Sequence, residues 1–447
     1  MSTTAATSAG PSSMQRRLGL TDAIVIGMGS MIGAGVFSVW APASRTTPVG
    51  WLVVAVLIAS VVAFANATSS AQLAARYPVA GGSYVYGREE LGPWFGFAAG
   101  WCFVIGKTAS CAAMAMTFAG YVLPAGSAPW LHKVVGIVAV ALLTWVNCLG
   151  VTRTARLTRI IVTIVLLVLA VFCVTMAFVH PVGATEGPAS IPDVPAASVW
   201  GVLQSAGLIF FAFAGYARIA TMGEEVRDPA RTIPRAIVVA LAATVVVYLL
   251  IAVTLWRIFR GSVWVGDRRV LPDWPLAEAA HRWASGLVAA QGLLVALGVA
   301  AALATAGALL NLMTGIGRTT LAMAREHDAP TALAALHPRT GVPHRAEILL
   351  GVIVSIVVAL VDLRGAIGFS SFAVLLYYTV ANLAALRQSE GRRYPRALQV
   401  LGVVLCLVLV VTLPWQSSAV GLAVLAVGLL VRLIARSTAP RRGSSAR

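Results

Sequence analysis

Apolar residues follow one another in long runs along most of this chain, and short polar segments separate the runs. About twelve runs are long enough to cross a hydrocarbon layer roughly 30 Å thick. Lipid offers no partner for backbone amides and carbonyls, so a spanning segment must be a helix or part of a closed barrel. Because the runs lack the polar–apolar alternation of barrel strands, the pattern predicts an all-α polytopic membrane protein. The predicted spans are residues 20–44, 49–75, 94–123, 131–150, 157–180, 200–224, 233–258, 285–323, 346–363, 365–388, 396–413 and 416–437.

The amino-acid composition excludes several classes of soluble protein. Of 447 residues, 59% are hydrophobic and 11% are charged, and the mean hydropathy is +0.87. Soluble domains are about half apolar and about a quarter charged, so this chain has too few charges to coat a soluble globule of its length. A single soluble enzyme, a disordered protein and a disulfide-stapled secreted domain are excluded. The five cysteines stand singly within apolar runs and indicate no disulfide framework.

The chain is strongly basic, with 33 Lys and Arg against 16 Asp and Glu. These basic residues lie mostly between the apolar runs, so they indicate retention at an anionic inner leaflet rather than nucleic-acid binding. With the N-terminus inside, the inner segments hold nearly three times as many of them as the outer segments. We therefore expect a protein of the cell (cytoplasmic) membrane with both termini cytoplasmic. Residues 1–19 are expected to be a disordered cytoplasmic tail, and residues 438–447 a second cytoplasmic tail.

Two spans contain residues that suit a continuous helix poorly. In the first, four glycines fall within residues 27–35, and each costs on the order of 1 kcal/mol relative to alanine in a helix. A break there would free backbone amides for a carboxylate, whereas the alternative is close helix packing through small residues. In the sixth span, Gly215 at mid-span is followed by Arg218. These spans are corresponding members of two five-helix halves, and paired interruptions of this kind indicate a midplane substrate site in an inverted-repeat transporter.

Four stretches of the chain carry a family resemblance. Residues 29–37 resemble the first-helix signature of the amino acid–polyamine–organocation (APC) permeases, and residues 72–86 resemble their second inner loop. Residues 224–234 and 318–325 are similar to the ends of their helices six and eight. The resemblance implies a five-plus-five inverted-repeat core that works by alternating access. It places helices 1–10 of that core in residues 20–388 and two peripheral helices, 11 and 12, in residues 389–437.

The same resemblance implies roles for residues at the two breaks. The amides around Ala34 and Gly35 would hold a substrate carboxylate, and the main-chain carbonyls of Met31, Phe211 and Ala214 would receive its amino group. Phe211 matches a position where the family often places an aromatic gate, and lipid contact is the alternative for this residue of a Phe-rich stretch. The predicted substrate-binding residues are Met31, Ile32, Gly33, Ala34, Gly35, Gly106, Lys107, Phe211, Ala212, Ala214, Gly215 and Arg218.

Two cations lie where contact with lipid would be costly. Lys107 is about a dozen residues into the third span, so it should face a cavity or a partner. Alignment to the family puts Gly106 and Lys107 on a substrate-facing stretch, and Arg218 follows the expected break in the sixth span. Relatives frequently carry an acid where this chain has Ala217, and a lysine where it has Val165.

Two hypotheses follow from these cations. In one, Lys107 or Arg218 replaces the missing ammonium of the fifth helix and makes transport sodium-independent. In the other, both form a positive cavity that selects a substrate with an extra carboxylate. A strongly cationic substrate is disfavoured in either case, because no carboxylate is expected within the spans to pair with it.

Two acids lie at the inner end of the sixth span. The simplest interpretation of Glu224 and Glu225 is a solvated salt-bridge cluster with Arg227, Arg231 and Arg235. The alternative is a role at the inner mouth, either in closing it or in carrying a proton. The predicted gating or coupling residues are Phe211, Lys107, Arg218, Glu224 and Glu225.

The sequence as a whole predicts a secondary active transporter of amino acids, with zwitterionic or acidic substrates favoured over cationic ones and sodium-independent proton symport or exchange. A permease for another small organic amine or carboxylate is the alternative. A membrane-embedded enzyme is disfavoured because the spans hold no catalytic or metal-ligating group of His, Asp and Glu, and a channel because no filter loop repeats. We expect no cofactor, no metal, no ATP-binding loop and no nucleic-acid partner. The expected partners are an amino acid, the lipid bilayer and, as a coupling ion, protons; the particular amino acid and the oligomeric state stay open.

Overall fold

The computed structural model describes residues 18–77, 81–124, 126–150, 155–178, 197–220, 222, 225–259, 264–265, 268–269, 271–284 and 288–438. The described chain is almost entirely helical, with one small antiparallel pair of strands, Trp264–Val265 (β1) and Arg268–Arg269 (β2). Most of the two predicted tails lies outside the described residues. Glu224, a predicted gating or coupling residue, lies outside them as well.

Seventeen α-helices follow one another along the described chain. They are α1 (Leu20–Met31), α2 (Gly35–Ser38), α3 (Trp40–Ser44), α4 (Leu52–Arg76), α5 (Ser83–Leu91), α6 (Pro93–Val122), α7 (Pro129–Cys148), α8 (Ala155–Phe178), α9 (Val199–Phe213), α10 (Ala217–Ala220), α11 (Pro229–Phe259), α12 (Pro275–Ala284), α13 (Val288–Arg325), α14 (His344–Leu360), α15 (Leu363–Arg387), α16 (Arg396–Thr412) and α17 (Trp415–Thr438). Three short 3-10 helices cover Val49–Trp51, Ala214–Tyr216 and Thr331–Ala334.

Within the described residues, each predicted span corresponds to one or more helices. Ten helical segments of the described chain are long and apolar enough to cross a membrane, which confirms the all-α polytopic class. The other two predicted spans are α14 and α16, of 17 residues each, at the lower limit of about 17–25 residues for a spanning helix. The sequence reasoning missed α5 and α12, because a search for long apolar runs does not detect short helices between them.

Cap residues in the sequence set where several spans begin. Pro93 opens α6 directly after Gly92, whose φ of +108° is a conformation natural to glycine. Asp362 caps α15 by accepting a hydrogen bond from the amide three residues on, at 3.0 Å. Ser198 caps α9 in the same way, also at 3.0 Å. These caps set the residues at which the helices of the third, sixth and tenth spans begin.

The helices α6 and α15 lie at the centre of the bundle. In the most apolar stretch of each helix, 72% of the residues are buried. In α7 and α17 the buried share is 17% and 22%. Gly106 allows the close contact between α6 and α15, since a Cβ there would lie 2.8 Å from the Cβ of Ala373. The central α6 also packs against α13, so the cation at Lys107 lies on one of the most enclosed helices of the described chain.

Candidate functional site

The first span is broken after Met31. The helix α1 ends there, the next three residues are not helical, and the chain resumes helix in α2 and α3. Two glycines allow the break to pack closely against α13 and α9. A Cβ at Gly33 would lie 2.6 Å from the Cβ of Ala308, and one at Gly35 would lie 2.5 Å from the Cβ of Ala212. A helix break and close packing, which the sequence left as alternatives, therefore occur together.

The sixth span is interrupted by a tighter turn. The helix α9 ends at Phe213, Ala214–Tyr216 forms a 3-10 helix, and α10 continues for one turn. The Ala214 amide donates to the Phe211 carbonyl oxygen, the i to i+3 pattern of a 3-10 turn. The interruption expected at Gly215 is therefore present, but as a 3-10 turn rather than as an open unwound segment.

The two breaks touch each other. A Cβ at Gly215 would collide with the backbone of Ser30 and Met31. The Tyr248 hydroxyl on α11 donates to the Met31 carbonyl oxygen at 2.6 Å and also lies 3.1 Å from the Ala212 carbonyl oxygen. The carbonyl of Met31, predicted to receive a substrate amino group, therefore already has a donor in this conformation.

A cavity of about 610 Å³, part of it open solvent, lies beside the sixth-span break. Its wall combines residues of the first and sixth spans with residues of α6 and α13. The lining residues are Ser30, Phe103, Lys107, Ser110, Met114, Phe211, Ala214, Gly215, Ala217, Arg218, Ala308, Asn311, Leu312 and Gly315.

Lys107 places a buried positive charge in the wall of this cavity. The residue is 4% exposed, and its ammonium donates to the Ala214 carbonyl oxygen at 3.0 Å. Among the described residues, no carboxylate forms an ion pair with it. Because a buried charge needs more compensation than one neutral carbonyl provides, and an ammonium has three donors, Lys107 is able to bind a further anionic group.

Arg218 joins the cavity to an ion network at the far end of the sixth span. The Glu225 carboxylate lies 3.6 Å from Arg218 and also pairs with Arg318 of α13. Burial alone would raise the pKa of Glu225, but the two guanidinium groups outweigh it and hold the pKa of this carboxyl below its usual range. Glu225 therefore stays ionised and connects the sixth span to α13.

The backbone around Glu225 is also tied to the start of the chain. The Leu18 amide donates to the Glu225 carbonyl oxygen at 3.0 Å, and the Arg227 amide donates to the Leu18 carbonyl oxygen at 2.9 Å. We call this side the Leu18 end of the bundle. The expected pairing of Glu225 with Arg227, Arg231 and Arg235 is wrong, because its carboxylate pairs with Arg218 and Arg318 instead.

A second, smaller cavity lies between the first break, α8 and α13. Its lining residues are Gly29, Ile32, Thr158, Ile161, Val162, Val165, Ala304 and Asn311. It includes Val165, the position at which relatives place a lysine, whereas Lys107 and Arg218 line the main cavity. Asn311 lines both. Val165 therefore lines one cavity and the two cations line the other.

The structure brings part of the predicted substrate-binding set together. Lys107, Phe211, Ala214, Gly215 and Arg218 share the wall of the main cavity. Phe211 is 6% exposed, so the alternative of lipid contact is wrong for it. Of the others, Ile32 lines the second cavity, and six line neither of these two cavities: Met31, Gly33, Ala34, Gly35, Gly106 and Ala212.

Four polar or aromatic lining residues were missed from the sequence. Phe103 and Ser110 stand four residues before and three residues after Lys107, so they share its helix face, and that spacing was available as a signal. Ser30 lies within the glycine-rich stretch of the first span. Asn311 is a polar residue inside the long apolar run of α13.

One buried carboxylate was missed as well. Glu347, in the first turn of α14, is 1% exposed and accepts a hydrogen bond from Asn147 at 3.3 Å. The expectation of no carboxylate within the spans is therefore wrong at the edge of the ninth span. Glu347 is not part of the wall of either cavity, so it does not supply a counter-charge to a cationic substrate there.

The sequence of this chain matches that of a known family over nearly its whole length. The amino acid permease family matches residues 18–431, a range that holds both broken spans, the main cavity and the ion network. The chain belongs to the amino acid permease family. This permease is thus a multi-pass membrane transporter and not an enzyme, and the resemblance to APC permeases is confirmed.

Individual relatives of this permease are transporters too. It is 49% identical over 421 residues to an uncharacterised transporter of Mycobacterium tuberculosis, covering 94% of this chain and 91% of that protein. It is 24% identical over 456 residues to a branched-chain amino acid permease of Bacillus subtilis, covering 95% and 94%. It is 27% identical over 430 residues to cationic amino acid transporter 7 of Arabidopsis thaliana, covering 90% and 71%.

Proposed function

We propose that this permease moves zwitterionic or acidic amino acids across the cytoplasmic membrane by alternating access, with both termini in the cytoplasm. Transport is sodium-independent and takes the form of proton symport or of exchange. The observation that carries the proposal is the charge of the main cavity: Lys107 and Arg218 both line it, and no described carboxylate does.

The charge of the cavity favours substrates that carry a carboxylate. A carboxylate near Lys107 would supply the anionic partner that its single bond to Ala214 leaves missing. A second positive charge on the substrate, as in arginine, would meet two like charges in a setting of low dielectric constant. Among the relatives, the branched-chain permease agrees with this preference by its name, and the cationic amino acid transporter does not.

Arg218 offers a physical link between substrate binding and the Leu18 end of the bundle. The same side chain lines the cavity and lies 3.6 Å from Glu225. An anionic substrate would compete with Glu225 for this guanidinium and so weaken the network that joins the sixth span to α13. Loosening one end of the bundle after binding is what alternating access requires.

Independence from sodium is supported by the second cavity. Na⁺ is a hard cation that prefers oxygen ligands, as other hard cations do. Of the side chains that line the cavity at Val165, Thr158 and Asn311 alone carry oxygen, and the rest are apolar. This composition provides few side-chain ligands for a coupled metal ion.

The test is counterflow of labelled amino acid into liposomes that hold the purified protein. Leucine, glutamate and arginine are compared, each with sodium and with choline as the bulk cation. We expect uptake of leucine or glutamate above arginine, unchanged by choline. Uptake of arginine above both would overturn the substrate class, and a requirement for sodium would overturn the coupling.

The two lysines of the chain provide a matched pair of variants. Lys107→Ala removes the buried cation of the cavity, whereas Lys133→Ala removes an exposed lysine at the start of α7. We expect the first to reduce glutamate uptake more than leucine uptake and the second to change neither. An equal loss of all substrates in Lys107→Ala would show that the lysine supports the fold rather than selectivity.

A further inference from the structure

Glu347 is a buried acid that the proposed substrate site does not use. Its carboxyl lies between three helices: α14, which carries it, α7, which supplies Asn147, and α13, where Gly317 lies against it. Any side chain at position 317 would collide with Glu347 Oε1. The absence of a side chain at position 317 therefore leaves the space that the Glu347 carboxyl occupies.

The partners of Glu347 are neutral. Asn147 donates to Glu347 Oε2 at 3.3 Å, and the Asn147 side-chain oxygen accepts from the Thr314 hydroxyl at 3.3 Å. Within the described ranges, no Lys, Arg or His forms an ion pair with Glu347. An ionised carboxylate in this place would be buried with one long hydrogen bond, and burial of an unpaired charge is strongly unfavourable. A protonated carboxyl meets no such penalty.

The groups that face Glu347 from the neighbouring helices include one fixed charge. Cys148 of α7 and Cys111 of α6 are the titratable thiols within electrostatic range of it. On α13, Arg318 is the cation within electrostatic range of it. On its own helix Arg345 is exposed, and His344 packs against the ring of His337 at 5.5 Å.

Arg318 connects this acid to the ion network described above. In this conformation Arg318 pairs with Glu225 and forms no ion pair with Glu347. Arg318, which pairs with Glu225, directly follows Gly317, the residue that lies against Glu347. When Glu347 is neutral, Arg318 is held by Glu225; when Glu347 is ionised, it competes for Arg318 and weakens the contact between the sixth span and α13.

We propose that Glu347 is the proton-binding site of this permease: it carries a proton in the conformation described here, and releases it in step with the opening of the Arg318–Glu225 contact. Only the transport part of this proposal rests on the proposed function above. The proton itself is a property of the folded protein and is testable without any substrate.

Infrared spectroscopy of the purified protein tests the proton directly. A buried protonated carboxyl gives a carbonyl stretching band that an ionised carboxylate lacks. We expect this band at neutral pH in the wild type, its loss in Glu347→Gln, and its retention in the control Glu89→Gln, which alters an exposed glutamate. A band that survives unchanged in Glu347→Gln, or that is missing from the wild type, would overturn the proposal.

A second variant keeps the test informative if Glu347→Gln does not fold. Asn147→Leu retains the acid but removes the amide that donates to it. We expect the carbonyl band to move to higher frequency, as it does when a carboxyl loses a hydrogen-bond donor. An unmoved band would assign the proton to another acid and contradict the proposal.

Transport in liposomes tests the coupling. With leucine and glutamate as probes, we expect Glu347→Gln to keep counterflow but to lose uphill accumulation driven by a pH gradient. Accumulation by Glu347→Gln equal to that of the wild type would contradict the coupling role. If the wild type transports neither probe, the proposed function fails on its own, and the infrared result still decides whether Glu347 holds a proton.

Discussion

The first and the sixth span of the permease are both broken, yet the two breaks are built differently. The first is a three-residue gap held in place by Gly33 and Gly35, and it contributes only Ser30 to the wall of the main cavity. The sixth is a 3-10 turn whose Ala214 carbonyl binds Lys107 and which is followed by Arg218. The first break thus provides close packing, whereas the sixth binds the lysine of α6 and carries the arginine that together charge the cavity.

The contact between the breaks gives the largest expected effect. Gly215→Ala places a methyl group against the backbone of Ser30 and Met31, which cannot move aside as a flexible side chain would. Overpacking of this kind destabilises by about 1–3 kcal/mol or more, so we expect a clear fall in the thermal unfolding temperature and loss of counterflow. The control is Gly292→Ala on α13, where an added Cβ has no neighbour within 4 Å. Equal stability of the two variants would show that the breaks do not touch.

The charge of the sixth break gives the next effect. Arg218→Gln removes one of the two cations of the cavity. A hydrogen bond to a charged group contributes about 1.5–3 kcal/mol, so the KM for glutamate should rise roughly tenfold to a hundredfold. Uptake kinetics in liposomes measure this, with Arg257→Gln at an exposed position of α11 as the control. An unchanged KM would remove Arg218 from the substrate site.

A smaller effect is expected where α11 bridges the two breaks. Tyr248→Phe removes the hydroxyl that donates to Met31 and approaches Ala212. Leaving a buried carbonyl without its donor costs about 1–3 kcal/mol, which is visible as a lowered unfolding temperature without loss of the cavity charge. The half-buried Tyr394 provides the control Tyr394→Phe. If Tyr248→Phe unfolds at the same temperature as Tyr394→Phe, the hydrogen bonds of Tyr248 contribute nothing to stability.

The smallest effect on stability is expected at the end of the sixth span. The side chain of Glu225 is 22% exposed, so solvent screens its ion pairs. Because its pKa is held below the usual range, the stabilisation is present above the ordinary pKa of a glutamate and is lost as the pH falls through the lowered value. The difference in unfolding temperature between the wild type and Glu225→Gln should therefore be largest at neutral pH and vanish in acid. A difference that grows in acid would contradict this assignment.

The sequence was sufficient for the spans and for the location of the breaks. Long apolar runs indicate membrane helices, because a backbone in lipid must form its hydrogen bonds within the segment. Four glycines within residues 27–35 indicate a helix that is not continuous. It was also sufficient to single out Lys107, because a lysine so deep in a span needs a cavity or a partner.

The sequence was not sufficient for contacts that depend on how helices are arranged around one another. Nothing in the linear order indicates that Glu225 pairs with Arg318, 93 residues later, rather than with the nearby arginines. Glu347 was overlooked because it stands at the edge of its span, where an acid is usually solvated. Only the packing of α7 and α13 against α14 shows that it is buried.

The Tyr248 side chain has one further consequence. Its hydroxyl carries a single hydrogen and faces two main-chain oxygens, one beside each break. It cannot donate fully to both, so any displacement of one break relative to the other would favour whichever oxygen remains nearer. One tyrosine on α11 is thereby sensitive to the relative position of the two breaks.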